Sequence, residues 1–186
     1  DLTINSPIEY DLLADKEWIN TKLTVCDGIA YPGFPQWFDH QKNIPIFRMG
    51  TIASNPRTDY CYQQDDPVAA RIAYEGFSSG GSSGSPVFAA QKGFPVGDGL
   101  QAPEGFFREM KLIGINAGHF HSAKGHSGIS YFYKSSVIKD IIDKMMKKYL
   151  EEHPIYADKI EKLYNSFSVL MKDNNSIDLN NQSQPN

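Results

Sequence analysis

Between Tyr74 and Phe88 the chain reads Tyr-Glu-Gly-Phe-Ser-Ser-Gly-Gly-Ser-Ser-Gly-Ser-Pro-Val-Phe, and this is the stretch whose residue types could perform chemistry. Serine and glycine also make flexible linkers. The flanks oppose that reading: Arg71-Ile-Ala-Tyr74 and Pro86-Val-Phe-Ala-Ala90 are short, apolar and strand-like. A tight glycine-lined loop held between two strands can present one hydroxyl together with neighbouring backbone N–H groups. Acyl transfer needs that combination, a nucleophilic oxygen and donors aimed at the charge that develops on a carbonyl oxygen.

The rest of the chain must position that loop. Its 186 residues suit one domain or a cramped pair, and 40% hydrophobic with 12% aromatic residues is ordinary for a globular chain with a core. A net charge of −4 gives no nucleic-acid footprint, and no stretch is apolar for long enough to span a bilayer. Cys26 and Cys61 are too few for a disulfide-stapled scaffold and leave one bridge or two buried thiols, so the compartment stays open.

In chain order, Asp1-Leu-Thr-Ile4 is a short strand pattern before the turn signal Asn5-Ser6-Pro7. Lys22 to Tyr31 is a β-rich run ending in the turn Tyr31-Pro-Gly33, and Ile44 to Ala53 is a second strand with Pro45 at its start. No helical period is visible before residue 135, which points to a small antiparallel barrel. Residues 93–107, rich in glycine and proline, read as a surface insertion without chemistry. Lys111 to Gly118 and Gly128 to Tyr133 are the last strands, with His119, His121 and His126 in a Gly/Ser/Lys loop between them. Three imidazoles could hold zinc, yet no cysteine or glutamate stands close by in sequence; solvated loop histidines are the preferred reading and no metal is expected.

After residue 134 the period changes to that of helices. Val137, Ile141, Met145 and Tyr149 form one row and Ile138, Ile142, Met146 and Leu150 the next, capped by Ser135 or Ser136. A second helix is expected from about Ile155 to Met171, and 173–186 reads as a disordered tail.

Gly81-Ser82-Ser83-Gly84-Ser85-Pro86 resembles the Gly-x-Ser-Gly-x-Pro nucleophile loop of trypsin-like serine peptidases, most closely the bacterial glutamyl-endopeptidase-like and HtrA-like branches. The resemblance, covering most of residues 1–150, implies an all-β fold: the C-terminal six-stranded antiparallel Greek-key barrel of a chymotrypsin-like double barrel, with C-terminal α-helices. Residues 1–20 would be a remnant of the first barrel and the linker, 21–134 the second barrel, 135–172 the helices. Ser83 would be the nucleophile, and the N–H groups of Gly81 and Ser83 the oxyanion hole. Asp1 would be the triad aspartate, with Asp11 in Tyr10-Asp-Leu-Leu-Ala14 as its rival. Asn116, Ala117 and Gly118 match the strand that binds the peptide backbone and lines the specificity pocket, with Ser78 on the opposite wall. The glutamyl branch carries a histidine where this chain has Asn116, so a preference for acidic side chains does not carry over.

One member of the triad is missing. The family's order is histidine, aspartate, serine, whereas all five histidines here follow Asp11 and only His40 precedes Ser83, in a turn where the family places no catalytic group. The resemblance therefore implies a serine endopeptidase acting on a peptide or protein substrate without a cofactor, its histidine supplied by an N-terminal barrel upstream. The rival expectation is a peptide-binding or scaffolding module that has lost the chemistry. A third, weaker option is a viral-type processing peptidase on the same fold.

Overall fold

A computed structural model describes residues 8–63, 69–95, 103, 105–123, 125–156 and 159. A 3-10 turn at Tyr10–Leu12 leads to helix α1 (Lys16–Lys22), and six strands follow: β1 (Gly28–Gly33), β2 (Ile46–Ile52), β3 (Arg71–Glu75), β4 (Pro86–Ala89), β5 (Lys111–Ser122) and β6 (Gly125–Lys134). Helix α2 (Ser135–Glu152) comes last. The chain divides into two compact units, Asp1–Asp140 and Ile141–Asn186.

Every pairing is antiparallel, and the strand order β1-β2-β3-β6-β5-β4 closes on itself through Ile29↔Ala89 and Ala30↔Phe88. Two three-strand meanders, β1 to β3 and β4 to β6, are joined edge to edge in Greek-key fashion, which is the six-stranded antiparallel barrel expected. Alternation fills it. Along β1, Ile29, Tyr31 and Gly33 are buried while the residues between them are half-exposed, as the two-residue period of a strand requires. Ile52, Ile72, Tyr74, Val87, Ala89, Ile113 and Phe132 complete the core together with Leu23. Burying side chains of this size stabilises the fold by about 1.5–3 kcal/mol each.

At the rim where β1 and β5 begin, Asp27 and Arg108 form a buried ion pair, 6% and 5% exposed. Arg108 Nη1 donates to Asp27 Oδ2 at 2.5 Å and to the Lys22 carbonyl at 3.2 Å, and Nη2 donates to the Ala90 carbonyl at 2.7 Å. Burial pushes the Asp27 carboxyl up, but the Thr24 N–H and the Arg108 guanidinium outweigh it and hold the group below its ordinary value.

Several expectations need correction. A helix does precede residue 135: α1 is capped by Asp15, whose carboxylate accepts from the Trp18 N–H at 2.7 Å, and it plugs the barrel with Ile19. The run from Lys22 becomes strand only at Gly28, because Lys22 still belongs to α1. Cys26 and Cys61 are both exposed and unpaired, so they are neither a bridge nor buried thiols. The histidine segment is not a loop. His119 and His121 lie on β5 and His126 on β6, with His121 opposite His126. Ser135 does not cap α2; it is the helix's first residue, and its hydroxyl donates to the Ala14 carbonyl at 2.6 Å. Of the second expected helix, 154–156 and 159 are helical and the remainder lies outside the described residues, as do Asp1–Ile4, residues 173–186 and part of the 93–107 insertion.

Candidate active site

The loop between β3 and β4 sits on the rim opposite the Asp27–Arg108 pair, and buried groups hold it from beneath. At its start the Phe77 carbonyl accepts from the Tyr31 hydroxyl at 3.0 Å and from Arg48 Nη1 at 2.7 Å. Ser79 to Ser82 make a turn closed by the Ser82 N–H on the Ser79 carbonyl at 3.0 Å. Gly81 has φ +85°, the conformation a type II turn demands at its third position. Only glycine fits, since a Cβ here would stand 2.1 Å from the Phe34 carbonyl oxygen. The Gly81 carbonyl in turn accepts from the Phe34 N–H at 2.9 Å.

The next peptide is pinned harder. The Ser82 carbonyl accepts from Asn116 Nδ2 at 2.8 Å and from the Ser85 N–H at 3.2 Å, so it points into the barrel rim. In a trans peptide the C=O and the following N–H point in opposite directions, so the Ser83 N–H faces outward. Among the described residues, neither that N–H nor the N–H of Gly81 donates a hydrogen bond. Ser83 is exposed, and its hydroxyl has no partner among the described residues. It opens onto a shallow cavity of about 290 Å³, lined by Pro32, Gly33, Phe34, Pro45 and Pro86 among others. Ser82, its neighbour, is fully buried.

Ser78 and Asn116 meet inside the rim: Asn116 Nδ2 donates to Ser78 Oγ at 2.8 Å, and both residues are buried. Tyr74, which sequence reasoning passed over as a strand residue, donates its hydroxyl to Asn116 Oδ1 at 2.8 Å. Burial drives the Tyr74 phenol far above its usual value, so it remains a donor across the working pH range. Ala117 and Gly118 are half-buried on β5 just beyond the last β4 pair, Pro86↔Ile115. From Ala117 onward β5 pairs only with β6 among the described residues, with a bulge between Asn116 and Gly118. Among the described residues no strand pairs with its other edge there.

No imidazole is hydrogen-bonded to Ser83 among the described residues. His40 Nε2 is 3.1 Å from the Gln36 carbonyl, and the ring rests 4.0 Å from that of Phe38. His119 lies between His121 and His126, ring centroids 4.5 Å apart in each case, and His126 packs on Phe77 at 5.0 Å. Burial and the two neighbouring imidazoles lower the pKa of His119. Among the described residues no group of His, Cys, Asp and Glu is arranged to hold a metal ion. Asp1 lies outside the described residues. Asp11 lines a separate cavity with Trp18, Lys111 and Lys139, and its carbonyl accepts from Lys111 Nζ at 2.7 Å.

No family model matches the chain, and no curated protein matches it. Among solved structures, the HtrA-type protease AlgW with decapeptide is similar at a TM-score of 0.45 and 15% identity. The likeness covers 76% of this chain and 32% of that one, so this chain spans about a third of that structure's length.

Proposed function

We propose that this chain is the nucleophile-bearing barrel of a trypsin-like serine endopeptidase, hydrolysing peptide bonds through an acyl-enzyme on Ser83. The observation that carries the reading is an accessible Ser83 hydroxyl together with the N–H groups of Gly81 and Ser83, which donate no hydrogen bond among the described residues. Ser83 Oγ attacks the scissile carbonyl carbon, and its proton passes to an imidazole from the preceding barrel, oriented by Asp1. The carbonyl oxygen takes up negative charge facing the Gly81 and Ser83 N–H groups; collapse expels the amine, which takes the imidazole's proton. A water that gives its proton to the same imidazole then displaces the acyl group, the proton returning to Ser83 Oγ. The peptide lies along the edge of β5 at Ala117 and Gly118 as an added strand, with the buried side chains of Asn116 and Ser78 in the wall behind it.

A fluorophosphonate probe applied to the protein carrying its upstream sequence tests this. Labelling at Ser83 in the wild type and none in Ser83→Ala is the expected outcome; label elsewhere, or none, overturns it. The absence of an imidazole against Ser83 among the described residues favours a second reading, a peptide-binding module without turnover. That reading predicts peptide binding at β5 with no label.

A further inference from the structure

Asn116 is where the pocket wall and the nucleophile loop become one structure. Its side chain is 1% exposed, and both of its polar atoms are hydrogen-bonded. Oδ1 accepts from Tyr74, while Nδ2 donates one hydrogen to Ser78 Oγ and the other to the Ser82 carbonyl, each at 2.8 Å. The orientation of the amide is not arbitrary. A carbonyl can only accept, so the nitrogen must face Ser82 and the oxygen must face the phenol. Tyr74 is held in turn, fully buried between the Tyr31 ring at 5.3 Å and the Phe132 ring at 6.1 Å. The backbone of Asn116 grips the same loop, donating to the Ser85 carbonyl and accepting from the Gly84 N–H, both at 2.8 Å.

We propose that Asn116 is a positioning residue for the oxyanion hole: its amide holds the Ser82 carbonyl inward and so turns the Ser83 N–H toward an arriving peptide carbonyl, while Tyr74 sets the amide. The catalytic part of this rests on the peptidase reading; the geometric part does not. Without the amide, the Ser82 carbonyl keeps, among the described residues, only the longer 3.2 Å bond from the Ser85 N–H in a buried site, where a poorly met acceptor is costly. Turning that peptide toward water repairs the loss and takes the Ser83 N–H out of the site.

Asn116→Asp is the sharpest variant, because it keeps the acceptor for Tyr74 and removes both donated hydrogens. In the protein carrying its upstream sequence, kcat is expected to fall by about 10-fold to about 1,000-fold, the upper end being the loss of a whole oxyanion donor, with KM changed by less than about twofold. Unchanged kcat in a folded variant, or a loss carried entirely by KM, overturns the proposal. Tyr74→Phe, which keeps the ring and removes only the hydroxyl, is the second variant should Asn116→Asp not fold. It is expected to lower kcat in the same direction by a smaller factor, and no loss overturns the role given to Tyr74. A wild type that neither cleaves nor labels removes the peptidase reading alone. The backbone resonances then decide the geometry: the Ser82 carbonyl carbon and the Ser83 amide nitrogen are expected to move more than any other loop resonance in Asn116→Asp, and their constancy overturns the positioning role.

Discussion

The two rims of the barrel are closed by opposite kinds of polar chemistry. Where β1 and β5 begin, the Asp27–Arg108 ion pair ties the end of α1, through the Lys22 carbonyl, to the end of β4, through the Ala90 carbonyl. At the other rim the fully buried ties are neutral, a phenol, an amide and hydroxyls beneath the β3–β4 loop, and the charged donor, Arg48 on the Phe77 carbonyl, is only half-buried. A buried charge is costly to strand, which makes the first rim a strong fastener. At the second rim the Ser82–Ser83 peptide itself is aimed by uncharged groups, the Asn116 amide and the Ser85 N–H. Fastening and aiming are thus assigned to different ends of the same strands.

The comparison breaks first at the charged rim. Arg108→Met is expected to lower stability by up to about 3–5 kcal/mol, because it leaves the buried Asp27 with only the exposed Lys92, 3.5 Å away, as a charged partner among the described residues, and adding Asp27→Leu should recover most of the loss. Denaturant titration measures both. A single variant within experimental error of the wild type would show that the pair fastens nothing.

At the neutral rim the strongest perturbation is Gly81→Ala, expected to cost about 1–3 kcal/mol for an L-residue forced to positive φ. The clash with the Phe34 carbonyl should displace the turn as well, so the labelling rate of Ser83 should fall further than stability does. Equal losses of the two would mean that the turn does no aiming.

Acid gives the smallest effect, because protonation neutralises Asp27 while Arg108, left charged, keeps its bonds to the Lys22 and Ala90 carbonyls. The folded carboxyl titrates below 3.8, so its contribution is complete above that value and is lost as pH falls through the lowered folded pKa. Melting temperatures from pH 5 downward should show a step that Asp27→Asn abolishes.

The barrel was legible because alternation is a strong signal: β2, β3 and β4 fall within a residue or two of where apolar runs and turn residues place them. Helix α1 was not. Seven residues with only Ile19 buried give too short a period, and the informative residue was the cap, Asp15, three before Trp18. The β5–β6 hairpin was hidden by its composition, since glycines, serines and lysines read as loop whenever cross-strand pairing is out of view. Within the site, Gly81 could be read from residue type because its backbone demand is local. The bond from Tyr74 to Asn116 joins residues 42 apart, and no local pattern carries it.

Sharing Asn116 between wall and loop also limits how this groove could be recoded. If the proposed peptidase reading holds, a library that varies position 116 to admit new side chains would tilt the Ser82–Ser83 peptide in the same stroke, so gains in discrimination would arrive with losses in turnover. Ala117, which lies beyond the last β4 pair and has no bond to the loop among the described residues, is where such a redesign has room to work; at Gly118 a Cβ would already stand 3.0 Å from the Tyr131 hydroxyl.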